Sequence, residues 1–153
     1  MGAPAERYAT PRLRRIAAKL LAHEVGEAPA TAEALAAASQ RLLDRLSARL
    51  AGVIGPVGVQ AIFLRAVKLR KPEFAFLDER LALHAGSDSL AESLQANLRG
   101  QDPDVIREVS VILFATFAGL LAALIGDRLA LSLLHQIWPD APLPEVGLQE
   151  TEE

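Results

Sequence analysis

Apolar positions along this chain recur mostly with the 3.6-residue period of helices, and they are densest in one stretch. From Val109 to Gly126 the sequence VSVILFATFAGLLAALIG carries no charge. Asp102-Pro103 reads as the N-cap and first turn of the helix that holds this run, and Pro139 closes the region. A helix of that length spans about 27 Å, the lower limit for crossing a bilayer. Its flanks, Arg107-Glu108 and Asp127-Arg128, show no basic excess on either side. Ser110, Thr116, Gly119 and Gly126 dilute its apolar content. The expectation is a helix surrounded by other helices of one domain, with membrane insertion of 109–126 as the alternative.

The preceding segments carry narrower apolar faces. Thr10-Pro11 starts a helix with Leu13, Ile16, Ala17, Leu20 and Leu21 on one side, and Gly26 stops it. A second helix, from about Thr31 to Val53, has the seam Leu35, Ala38, Leu42, Leu46, Leu50 and Val53. Gly55-Pro56 breaks it, and a third runs to about Arg70 with Val59, Ile62, Phe63, Ala66 and Leu69 inward. Shorter helices are predicted over 73–84 and, from a capping box at Ser89 and Glu92, through Leu98. The result is an all-α bundle of about six to seven helices around a buried apolar central helix. Residues 11–138 form its single domain, and 1–10 and 139–153 are expected to be mobile.

Two spacings go beyond this pattern. Ala115, Gly119 and Ala123 lie four apart and form a small stripe that predicts a close helix–helix contact. A shift of 71 residues places Leu50, Ala51, Ile54 and Gly55 on Leu121, Ala122, Ile125 and Gly126, and Ser39 on Ser110. Two pseudo-repeated units, each a helix, a glycine break and a second helix, would pack as a pseudo-symmetric bundle.

Composition narrows the chemistry. The chain has no Cys, which excludes disulfides, Cys-ligated metals and thiol catalysis and fits a reducing, cytoplasmic location. Its start has no signal-peptide pattern. The three histidines, His23, His84 and His135, lack metal-ligand spacing. GVIGPVG lacks the Lys-Ser/Thr of a phosphate loop. Asp127 reads as a helix cap. No catalytic residue, metal or cofactor is assigned.

Charge supplies the one surface signal. Residues 1–75 hold 12 basic and 6 acidic side chains, net +6, and residues 76–153 hold 4 and 13, net −9. Arg41, Arg45 and Arg49 form a ridge four residues apart, with Asp44 beside them, and Lys68 and Lys71 belong to the basic end of the next helix. The ridge is expected to dock an acidic protein surface or a second copy of the chain. Nucleic acid is not expected, because the pI is near 5.6 and no aromatics interleave the arginines. These features describe a non-catalytic, homo-oligomeric interaction or regulatory module. The alternative is an apolar-ligand binder or enzyme with a pocket between the two units.

Overall fold

The computed structural model describes residues 8–74, 76–77, 94–96 and 98–141, and those residues form no strand. The elements are α1 (Pro11–Val25), α2 (Ala32–Arg70), α3 (Pro103–Ile125) and α4 (Asp127–Ile137). Gly55 breaks α2 into two arms, so the elements amount to five helices. Leu98 and residues 94–96 are helical, but the rest of the two short helices predicted over 73–84 and 89–98 lies outside the described residues. Residues 71–74 are turn and irregular chain rather than helix.

The N-termini follow local chemistry. The Thr10 hydroxyl accepts from the Leu13 amide at 3.2 Å, and Thr31 accepts from Ala34 at 3.1 Å. Each satisfies an amide that the helix itself leaves unpaired. Asp102 holds the N-cap position of α3 but makes no side-chain cap bond. Asp127 is not a cap: Gly126 occupies that position, and Asp127 is the first residue of α4. There its charge still meets the positive end of the helix dipole.

Two glycines set the topology. Gly55 has φ 84° and ψ 155°, and Gly126 has φ 94° and ψ 146°. Positive φ with extended ψ is a region that residues with a Cβ avoid. Each break joins two helices without an intervening loop and sends the chain back. Arg70, at the end of the second arm of α2, reaches Thr116 in the middle of α3. Gln136, near the end of α4, reaches Arg49 in the first arm of α2.

The first arm of α2 and α3 run side by side in the same direction. Ala32 and Ala36 share a groove with Ile106, and Ser39 meets Ser110. Further along, Leu42 and Leu46 line one void with Phe114, Phe117 and Leu121. Both glycine breaks therefore lie at the same end of the bundle. The core lies between these helices and α1, whose stripe Leu13, Ile16, Ala17, Leu20 and Leu21 is buried as its spacing predicts.

Burial departs from the sequence pattern at the edges of the elements. Val53, placed on the buried seam, is exposed. Tyr8 and Ala9 belong to the packed body rather than to a mobile end, because Ala9 is buried and Tyr8 backs onto Gly119. Trp138 is fully enclosed and Ala141 is buried, so the packed body extends past Pro139. α2 and α3 are both long and apolar enough to cross a membrane. α2, however, is broken at Gly55, and most of α3 from Val109 to Leu121 is buried against protein.

Candidate functional site

The arginine ridge turns inward on an acid. Glu24 continues the apolar stripe of α1 and is buried. Its Oε1 accepts from Arg41 Nε at 3.3 Å, and its Oε2 lies 3.1 Å from Arg45 Nε. The same Oε2 accepts from the Trp138 indole at 2.8 Å, and the Glu24 carbonyl accepts from Arg41 Nη2 at 2.6 Å. One carboxylate thus ties together α1, the first arm of α2 and the residue that follows α4. A buried carboxylate needs this complete set of donors to offset its lost hydration. Both guanidiniums remain about half exposed. Arg49, also exposed, donates to Gln136.

A second centre reverses the charges. Arg70, which ends the second arm of α2 between Lys68 and Lys71, is buried. Its Nε donates to the Thr116 hydroxyl at 2.9 Å and its Nη1 to Glu73 at 2.7 Å. The Thr116 hydroxyl in turn donates a hydrogen bond to the Ile112 carbonyl at 2.8 Å. Lys68 and Lys71 are exposed. Both buried charges occupy the register of an apolar stripe, Glu24 after Leu20 and Leu21, Arg70 after Ala66 and Val67. That register was the available signal, and a reading that sorts charges onto faces by type alone passes over it.

The three residues of the small stripe separate. Ala115 is fully buried. A Cβ at Gly119 would overlap the Tyr8 carbonyl, so the close approach there is to the chain leading into α1 rather than to a helix. Ala123 is exposed.

Space for a ligand between the long helices is slight. The apolar void lined by Leu42, Leu46, Phe114, Phe117 and Leu121 measures about 20 Å³. A surface groove of about 470 Å³ near Ala32, Ala36 and Ile106 carries Glu33 and Arg99 but neither a histidine nor a second carboxylate. Among the described residues no three His, Asp or Glu side chains gather as a metal site. His23 is exposed, His135 is half-buried, and His84 lies outside the described residues.

The remaining feature is apolar. Among the described residues, four large hydrophobics are exposed: Val53 at 46%, Val57 at 77%, Leu124 at 62% and Leu129 at 47%. All lie within three residues of Gly55 or Gly126, hence at one end of the bundle. Chain charge is sparse there, with none from Leu50 to Leu64 or from Val109 to Gly126. Covering the four would be worth about 3–7 kcal/mol, at ~1.5–3 kcal/mol per fully buried Val or Leu.

No protein-family model, curated protein or solved structure matches the chain.

Proposed function

We propose that the chain is a non-catalytic, cytoplasmic interaction module whose working surface is the apolar end formed at Gly55 and Gly126. The observation that carries this reading is the gathering of Val53, Val57, Leu124 and Leu129 at that end. The charged groups best placed for chemistry, Glu24 and Arg70, are engaged in tying helices together. This favours the apolar end over the arginine ridge as the docking surface. A ligand-binding reading is less favoured, since the apolar void midway along the long helices is no larger than about one water, and the larger space near Ala36 and Ile106 is a surface groove.

The same end supports the reading of two repeated units. Thr31 and Asp102, both at N-cap positions although only Thr31 caps with its side chain, Gly55 and Gly126, both helix breaks, and Val53 and Leu124, both exposed, each stand 71 apart. Ser39 and Ser110, also 71 apart, share a buried hydrogen bond of 2.6 Å, as equivalent residues beside a two-fold axis would.

In-cell photocrosslinking tests the assignment. A crosslinking side chain at position 57 or 124 should give adducts, to protein or to lipid, and one at position 41 or 68 should give none. Adducts from the ridge alone, or from no position, would overturn it.

A further inference from the structure

We propose that the apolar end docks on an anionic lipid surface. Four helical rods meet there, the two arms of α2, α3 and α4. At ~8–10 Å between axes, their end face measures about 20 Å on a side, roughly 400 Å². A specific protein interface needs about 800 Å² from each partner. End-on pairing with a second copy falls well short of that. A bilayer imposes no such threshold and no shape match, because apolar side chains sink ~5–10 Å into the headgroup boundary. The glycine turns suit this geometry, since neither needs a loop and the turn at Gly55 carries no charge on either side.

Charge selects the lipid. Ten residues of helix reach about 15 Å from either glycine. Within that reach Arg45 is committed to Glu24. The other charges there are Arg49, Arg65 and Arg128, all exposed, against Asp127 alone. These helix segments therefore carry net +2, with Arg45 set aside, in a chain whose formal net charge is −3. Arg49 and Arg65, set back from the tip, and Arg128, beside it, extend long side chains to lipid phosphates while the apolar residues enter the acyl boundary.

The proposal rests on the apolar end being the working surface, and it is tested with the full chain and vesicles of defined composition. The protein should sediment with phosphatidylcholine vesicles containing phosphatidylglycerol, and less with phosphatidylcholine alone. Its affinity for the anionic vesicles should fall as salt rises. Val57→Asp combined with Leu124→Asp should weaken vesicle binding at least tenfold with an unchanged circular dichroism melt. Arg65→Glu combined with Arg128→Glu should weaken binding to anionic vesicles only. Absence of sedimentation, or equal binding by Val57→Asp/Leu124→Asp, overturns the proposal. So does a concentration-dependent dimer that the same pair abolishes in a chain that binds no vesicles. Protein adducts from positions 57 and 124 in a chain that binds no vesicles would leave the working surface standing and remove only the lipid.

Discussion

The first arm of α2 and α3 run in parallel, each ending in a glycine break, yet they treat the same face in opposite ways. Arg41, Asp44, Arg45, Ala48 and Arg49 are exposed on the first. Counting 71 residues on gives Ile112, Ala115, Thr116, Gly119 and Leu120, of which all but the half-buried Ile112 are buried. On α3 the chain at Tyr8 presses against this face at Gly119, and Arg70 reaches across to Thr116. On α2 the counterpart residues face solvent, and Arg41 and Arg45 bend over the edge to hold Glu24. The arginine ridge is thus the form that an uncovered face takes, and its regular spacing is not by itself a docking signal. The buried charges follow the same division, with an anion held by half-exposed cations on one side and a cation held by Thr116 and a half-exposed acid on the other.

Breaking the two charge centres should produce the largest effects and should separate them. Arg41→Ala with Arg45→Ala leaves the Glu24 carboxylate with only the Trp138 indole, and should cost about 3 kcal/mol. That is the low end for a broken buried pair, because water reaches the space the half-exposed guanidiniums leave. Glu73→Ala removes a partner that is already partly hydrated, and Arg70 keeps Thr116, so its cost should stay near ~1 kcal/mol. Denaturant unfolding followed by the fluorescence of Trp138, the single tryptophan, measures both. Equal losses would mean the two centres are not organised differently.

The covered face offers the next test. Gly119→Ala forces a Cβ into the Tyr8 carbonyl and should cost about 1–3 kcal/mol. Ala48→Leu, at the corresponding exposed position, should stay within about 0.5 kcal/mol of wild type. Thermal melts of the two variants decide it, and similar shifts would show that Tyr8 does not cover α3.

The long helices and both breaks were legible in the sequence because they depend on local chemistry: N-caps at Thr10 and Thr31, prolines in first turns, and glycines at the ends. The role of the arginines was not. Helical spacing places Arg41 and Arg45 on a face, but their engagement is set by Glu24, 17 and 21 residues earlier, and by Trp138, 114 residues beyond that acid. Val53 was misplaced for a related reason. Its position continues the seam of Leu46 and Leu50, but the chain turns back at Gly55, and among the described residues nothing beyond the tip covers it. Periodicity assigns a side chain to a face, whereas the extent of the covering neighbour decides where burial ends.

A smaller effect is expected where the two helices touch. Ser39 and Ser110 are both buried, and their hydroxyls share one hydrogen bond. Either serine changed to Ala leaves the other hydroxyl without that partner and should cost about 1 kcal/mol, limited because a helical serine can turn to the carbonyl four residues back. The double variant should cost less than the sum of the two. Strict additivity in urea unfolding would mean the pair is in proximity without being coupled.

The smallest expected effect lies on the exposed face itself. Asp44 stands between Arg41 and Arg45 in sequence and makes no ion pair among the described residues; partial burial raises its carboxyl above the usual carboxylate range. The folded chain therefore holds the Asp44 proton to higher pH than the unfolded chain does. Its ionisation costs stability at neutral pH, and that cost is relieved as pH falls through the folded pKa. The group is largely exposed, so solvent screening keeps the effect below about 0.5 kcal/mol. Asp44→Asn should leave the protein at pH 7 as stable as wild type or slightly more so. The difference between the two chains should shrink as pH falls from 7 towards 4, because wild-type Asp44 then takes up its proton. Paired melts across that range read the sign directly. A variant clearly less stable at pH 7 would show that Asp44 holds the arginines in place. The ridge would then be a built charge array rather than the bare counterpart of the covered face on α3.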